Sequence, residues 1–337
     1  MGEVSSFWAG AQDHQERVNL AEVVRGAGGW AALLASPRDA LRGAGLPWTL
    51  VEAWLNTPER SSMGRAICLD DPSYPEVLRN TRNPPPVLFV EGDPDAMRAP
   101  CVAVVGTRRC TTYGTGIARQ LGSALGEAGV TVVSGLARGI DAHAHEGALR
   151  TGRTVAVVAH GLSHTAPPHH VDLRRRIVGE GGAVVSVWPD ALPPRPHTFP
   201  KRNTWIAGLS NATVVVEAGR RSGALITARA AIAEGRDVVA VPGPLGAPAS
   251  EGCLNLIADG AFVLRSVRSF VEGLVDHRLP VWEPWLAALF AGASLDEVAR
   301  RFERPIAAMA ADLAQRELAG QVVRLPGQRY APAGRRP

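Results

Sequence analysis

Six runs of apolar residues, near 101–105, 130–134, 154–158, 183–187, 212–216 and 238–241, recur between amphipathic stretches near 114–128, 140–150, 171–179, 202–209 and 223–234. Each run is apolar continuously rather than in alternation, which is the pattern of a strand buried on both faces. Such strands separated by helices predict an α/β fold over 99–275: an extended Rossmann-like, doubly wound and mainly parallel sheet. In sheets of this kind ligands sit beyond the carboxyl ends of the strands, so the segments that follow the apolar runs are where chemistry belongs.

Three of those segments combine glycine with arginine: Val102-Ala-Val-Val-Gly-Thr-Arg108, Val132-Val-Ser-Gly-Leu-Ala-Arg-Gly-Ile-Asp141 and Val214-Val-Val-Glu-Ala-Gly-Arg-Arg-Ser-Gly-Ala-Leu-Ile-Thr-Ala-Arg229. In the first, Gly106 lets backbone approach a phosphate, Thr107 offers a hydroxyl and Arg108 a bidentate contact. Its glycines are too far apart for a dinucleotide fingerprint, so no nicotinamide or other cofactor is expected. In the second, Ser134, Gly135 and Arg138 precede a helix opened by Asp141, whose free amides suit an anion. In the third, Arg221, Ser222 and Gly223 form the turn, and Glu217 at the strand end reads as counter-ion to the arginines or, in a nucleotide hydrolase, as the catalytic acid.

A fourth segment, Arg195-Pro-His-Thr-Phe-Pro-Lys-Arg-Asn-Thr204, mixes cations with an aromatic ring. Arg195, Lys201 and Arg202 can follow phosphates while Phe199 stacks on a base; the alternative is that Phe199 plugs the core and Asn203 caps a helix. Asp141 and His145, four apart, read as a salt-bridged surface pair rather than metal ligands. His160, His164, His169 and His170 crowd one loop without Cys or Glu at ligand spacing, so no metal is expected. With no activated nucleophile either, no catalytic residue is assigned.

Beyond the sheet, residues 1–60 read as a small N-terminal helical domain broken at Gly26-Ala-Gly-Gly29 and Gly43-Ala-Gly45, of sterile-alpha-motif or helix-hairpin-helix type. Residues 61–98 form a proline-rich connector packed on the core, and 281–331 spell three helices and a two-stranded hairpin, a C-terminal winged helix. The chain of 337 residues carries a formal charge of +4, and all of its 36 basic residues except Lys201 are arginines, which permits an anionic partner. Four scattered cysteines fit a reducing cytoplasm, and no apolar run approaches the roughly 20 residues that span a bilayer, so no membrane contact is expected.

Taken in order, Asp71-Pro-Ser-Tyr-Pro75, Pro85-Pro-Val-Leu-Phe-Val-Glu-Gly92, the first two Gly/Arg loops, Phe199-Pro-Lys-Arg-Asn203, Ile206-Ala-Gly-Leu-Ser210, Arg221-Ser-Gly-Ala-Leu-Ile-Thr-Ala-Arg229 and Val241-Pro-Gly243 resemble the DNA-processing protein A (DprA/Smf) family. The resemblance is close over about 70–275. It implies a cytoplasmic, non-enzymatic protein that binds and protects single-stranded DNA during natural transformation and loads the RecA recombinase, as a homodimer through the Rossmann-like domain. It also implies a DNA pocket of Gly106, Thr107, Arg108, Ser134, Gly135, Arg138, Phe199, Lys201, Arg202, Asn203, Ser222 and Gly223. Two departures stand out: Gly252-Cys-Leu-Asn-Leu-Ile257 lacks the family's arginine, and Pro196 stands where some relatives carry lysine, with Arg195 as the substitute. The competing readings are a Rossmann-type nucleotide hydrolase and a winged-helix regulator of double-stranded DNA.

Overall fold

The computed structural model describes residues 64–188, 190–276, 284–290, 293–318, 322–325 and 329–332, with 23, 25–29 and 32. The expected N-terminal helical domain falls almost wholly outside the described residues. All six apolar runs are strands: β3 (Cys101–Val105), β4 (Thr131–Ser134), β5 (Thr154–Val157), β6 (Ala183–Ser186), β7 (Ala212–Val215) and β8 (Asp237–Ala240). Before them come β1 (Arg65–Cys68), α1 (Glu76–Arg79) and β2 (Val87–Gly92), and after them β9 (Phe262–Val263). These make one nine-stranded sheet in the order β1-β2-β6-β5-β4-β3-β7-β8-β9. The pairings from β6 to β9 are all parallel, whereas β2 runs antiparallel to both β6 and β1. The proline-rich passage therefore widens the sheet.

Alternate residues of each strand feed opposite layers. On β3, Val102 and Val104 join an apolar cluster with α2 (Thr112–Glu127), α3 (Ile140–Ala148) and the later helix α8 (Val267–Asp276). Cys101, Ala103 and Val105 join a second cluster, under α5 (Thr198–Gly208), α6 (Ala224–Ala233) and α7 (Glu251–Ala258). α4 (Val171–Gly179) lies against β5, β6 and β2. The α2–α3 contact is close because it is lined by glycine: a Cβ on Gly122 would lie 2.3 Å from the Ala144 carbonyl oxygen, and one on Gly147 would lie 2.3 Å from that of Arg119. This pair sets the carboxyl ends of β3 and β4 side by side.

The C-terminal part has its own core. α9 (Pro284–Phe290), α10 (Leu295–Arg301) and α11 (Ile306–Leu318) gather Trp285, Leu286, Val298, Met309 and Leu313, and β10 (Val322–Leu325) pairs antiparallel with β11 (Arg329–Pro332). Ser294 and Glu297 form a reciprocal capping box that starts α10. Among the described residues, no helix is long and apolar enough to cross a membrane.

Candidate nucleic-acid interface

From β3 the chain winds outward in both directions, to β4, β5 and β6 on one side and to β7, β8 and β9 on the other. The switch point is thus between β3 and β7, and the three Gly/Arg loops leave β3, β4 and β7 at this edge. They are bonded to one another. Thr107 N–H donates to the Glu217 carbonyl at 2.7 Å, and Ile140 N–H donates to the Thr107 carbonyl at 3.2 Å. A Cβ on Gly106 would fall 2.5 Å from Ile140 Cγ1 and 2.9 Å from the Glu217 carbonyl oxygen, so only glycine permits this junction. Leu136 in the second loop is non-glycine yet has φ 55°, a strained value of the sort that accumulates at ligand edges.

Glu217 does not face the arginines. Its carboxylate accepts from Thr111 N–H at 2.9 Å and from the Thr111 hydroxyl at 2.5 Å, at the start of α2. The reason is electrostatic: the free amides at a helix start carry the positive end of the macrodipole, and a buried carboxylate satisfies them. Thr111 in turn accepts from Gly114 N–H and caps the helix. The position where a Rossmann-like fold seats a nucleotide phosphate is therefore occupied by the chain's own carboxylate.

Around this edge lies a cavity of about 1020 Å³. Its lining includes Gly106, Thr107, Arg108, Arg195, Phe199, Arg202, Asn203, Arg221, Ser222 and Gly223, together with Arg109, Ile226 and Thr227, which sequence reasoning did not single out. Arg109 directly follows Arg108 and was legible; Ile226 and Thr227 face the cavity through the packing of α6. Arg108, Arg109, Arg195 and Arg221 are exposed. Phe199 is half-buried against the second apolar cluster, with the Arg108 guanidinium carbon 5.2 Å above its ring and that of Arg202 at 6.0 Å.

Six expected site residues stand elsewhere or act differently. Arg202 is only 3% exposed, and its Nη1 donates to the carbonyls of Gly135 at 2.5 Å and Val157 at 2.8 Å, so it pins β4 and β5 beneath the cavity instead of following phosphates at the surface. Burial lowers its pKa to about 10, against the raising influence of Asp141. Ser134 is fully buried and its hydroxyl donates to the Val104 carbonyl at 2.7 Å. Gly135 is buried too; its lack of a side chain admits Arg202, whose Nη1 would lie 1.8 Å from a Cβ there. Lys201, half-buried, and Arg138, exposed beside His169, lie outside the cavity lining. Asn203 sits within α5 and does not cap it; its Nδ2 donates to the Gly223 carbonyl at 3.0 Å and ties α5 to the start of α6.

Asp141 and His145 are both buried and are not a surface pair. Asp141 accepts from Gly135 N–H at 3.1 Å and Ala137 N–H at 3.4 Å, and burial pushes its carboxyl above the usual range. In the histidine loop, His160 Nδ1 lies 2.9 Å from the Gly161 carbonyl and its Nε2 accepts from Ala166 N–H, so both ring nitrogens are engaged. Among the described residues, no three His, Cys, Asp or Glu side chains converge as metal ligands do.

Residues 65–275 match the family model of DNA recombination-mediator protein A, and residues 287–328 match that of the DprA winged helix domain. The chain belongs to the DNA recombination-mediator protein A family. It is 37% identical over 314 residues to Protein Smf of Escherichia coli K12, covering 86% of this chain and 83% of that one. With DNA processing protein DprA of Bacillus subtilis it shares 32% over 255 residues, 74% of this chain and 86% of the other. The X-ray structure of DprA from Streptococcus pneumoniae superposes with a TM-score of 0.65 at 34% identity, over 69% of this chain and 85% of that one. A structure of the Helicobacter pylori family member, described for its single-stranded DNA binding mode, superposes with a TM-score of 0.58 at 25% identity, over 65% and 99%. The match to the winged-helix model spans most of α9, then α10, α11 and β10, and ends just before β11.

Proposed function

We propose that this chain binds single-stranded DNA in the switch-point cavity, protects it, and loads RecA recombinase onto it in the cytoplasm during natural transformation and recombination, acting by binding and not by turnover. The observation that carries this reading is the set of exposed arginines, Arg108, Arg109, Arg195 and Arg221, around a cavity whose helix-start phosphate seat is filled by Glu217. That arrangement suits a chain of phosphates better than one nucleotide. The DNA-binding description of the Helicobacter pylori relative supports it. The winged helix supports the double-strand reading less: its third helix, α11, offers only Gln315 and Arg316 as obvious base readers, and Arg316 is engaged at 3.0 Å by Asp312.

Fluorescence anisotropy with labelled oligonucleotides across a salt series tests the proposal. The single strand should bind in strong preference to the duplex, with affinity falling steeply in salt. Arg108→Ala and Arg221→Ala should each flatten the log–log salt slope by roughly 0.7, the counterion release of one single-strand phosphate. Equal binding of both forms, or slopes that do not respond, would remove this reading. Turnover of nucleoside monophosphates that vanished in Glu217→Gln would put the hydrolase in its place.

A homodimer through the sheet edge belongs to the same proposal. β9 ends the sheet, so its outer edge has no paired strand among the described residues, and Phe262 and Val263 are exposed there with Ile232 nearby on α6. A second copy related by a two-fold axis would pair like edge with like and cover this apolar patch. Light scattering at micromolar concentration should report a dimer, and Phe262→Arg should convert it to monomer with the single-chain fold intact. A wild-type monomer would reject the interface.

A further inference from the structure

A second cavity, of about 630 Å³, lies at the opposite end of the sheet from the Gly/Arg loops, where β3 begins. Its described lining includes Cys101, the first residue of β3, and shares no residue with that of the switch-point cavity. The volume falls within the roughly 300–1,000 Å³ of small-molecule sites. Met97, Pro100, Val130, Leu209 and Leu274 supply apolar wall.

The polar groups of the wall differ in what they have left to give. Tyr74 is buried, and its hydroxyl is spent on the Pro85 carbonyl at 2.7 Å. Arg79, half-buried in the last turn of α1, is anchored from one side: Nη2 donates to the carbonyls of Asp71 at 2.7 Å and Tyr74 at 3.4 Å, and the guanidinium carbon stands 5.7 Å from the centre of the Tyr74 ring. Its Nη1 has no hydrogen-bond partner among the described residues, and no described carboxylate pairs with it. The Asp71 carboxylate, which feels its charge, accepts instead from Ser73, from the amide at 2.7 Å and the hydroxyl at 2.6 Å. Asn211 takes the Cys101 N–H on Oδ1 at 3.0 Å, which leaves Nδ2, its donor end, without a partner among the described residues. Arg98, at the exposed rim, meets only Asp95 at 3.4 Å, a surface pair of little strength. Glu76 is the one acid in the described lining. Two guanidinium charges thus stand against one carboxylate, and the unspent groups beside them are donors.

We propose that this cavity is a binding site for a small organic anion, a carboxylate carried on an apolar body, with the head at Arg79, Arg98 and Asn211 and the body against the apolar wall. A cation taken partly out of water loses hydration that a carboxylate partner restores, and a guanidinium offers a carboxylate parallel N–H donors. The proposal is independent of what binds at the switch point.

Octanoate is the probe, titrated against the full chain by ligand-observed NMR beside octan-1-ol and octylamine, which share its apolar body and lack its anionic head. Octanoate should bind saturably, octan-1-ol at least roughly tenfold more weakly, the worth of one charge-assisted hydrogen bond, and octylamine not at all. Arg79→Gln should weaken octanoate by a similar factor and leave octan-1-ol unchanged. Ala99→Phe, which adds a ring at a half-buried lining position and keeps every bond around Arg79, should abolish binding of both; it decides the matter if far-UV circular dichroism shows Arg79→Gln unfolded. Arg175→Ala, an exposed arginine outside the lining, should bind octanoate like the unaltered protein. The proposal is overturned if octanoate does not bind saturably or binds no tighter than octan-1-ol. It is equally overturned if folded Arg79→Gln or Ala99→Phe keeps full octanoate affinity, or if Arg175→Ala loses as much as Arg79→Gln.

Discussion

Arg202→Ala is expected to destabilise the protein by about 3–5 kcal/mol, the range found when one member of a buried charged set is removed. The cause is local and countable. Nη1 is the donor to two buried carbonyls, those of Gly135 and Val157, and its loss orphans them. Asp141, buried close by, also loses the cation that opposes its desolvation. Urea unfolding near neutral pH measures the effect, with Arg108→Ala as the control: that side chain is exposed, and its removal should stay within about 0.5 kcal/mol of wild type. Gly135→Ala should resemble Arg202→Ala, since its Cβ would meet Nη1 at 1.8 Å. An Arg202→Ala protein of ordinary stability that had merely lost DNA affinity would restore Arg202 to the surface role that its sequence context suggests.

The second large effect is acid sensitivity below about pH 6.5. His145 is fully buried, and its Nδ1 lies 2.7 Å from the Thr154 hydroxyl. That hydroxyl spends its one proton on the Val132 carbonyl, so Nδ1–H must donate to it, and Nε2 is left as a buried nitrogen with no partner among the described residues. Protonating Nε2 would create a buried charge without an acceptor. Burial first, then the charges of His170 and Arg202, lower the His145 pKa to about 3, and burial lowers that of His160 to about 4. The unfolded chain takes up these protons near pH 6.5 and the folded chain does not, so stability is full above about pH 6.5 and is lost as pH falls toward 4 and then 3. The His145 contribution is on the order of 4 kcal/mol across that window. His145→Asn places an amide N–H where Nδ1–H stood and removes the titration. It should start about 2 kcal/mol less stable at pH 8 because of the smaller side chain, and lose distinctly less stability than wild type between pH 6.5 and 4. Parallel pH profiles for the two proteins would show that His145 is not the acid-sensitive group.

The central strands were legible because their signal is local: an uninterrupted apolar run between two helical patterns has few other solutions. β2 carries such a run, Val87-Leu-Phe-Val90, but its pairing with β6, nearly a hundred residues away, has no local trace, so it reads as the end of a connector. The cavity was legible because Gly106 and Arg108 closely follow β3, and Ser222 and Gly223 end the loop from β7 to the start of α6. Arg202 was not. α5 begins at Thr198, whose hydroxyl donates to the Ala159 carbonyl, instead of at 202 as the periodicity suggests. That early start carries Arg202 onto the face turned to the sheet, and a cation in an exposed-looking motif becomes a buried one. Glu217 was misassigned because its partner, the start of α2, lies more than a hundred residues away in sequence.

The carboxylate at the start of α2 also decides what the surface will ignore. A helix start left open at this edge would be a strong trap for any single phosphate, and free mononucleotides would compete there with every longer ligand. In the binding mode proposed above, with that trap closed from within, grip would be gathered from several weak arginine contacts, each raising the effective concentration of the next phosphate along a tethered strand. Affinity then grows with ligand length, and short fragments compete poorly. A strand held this way can be peeled off one contact at a time, never needing to break a single dominant anchor.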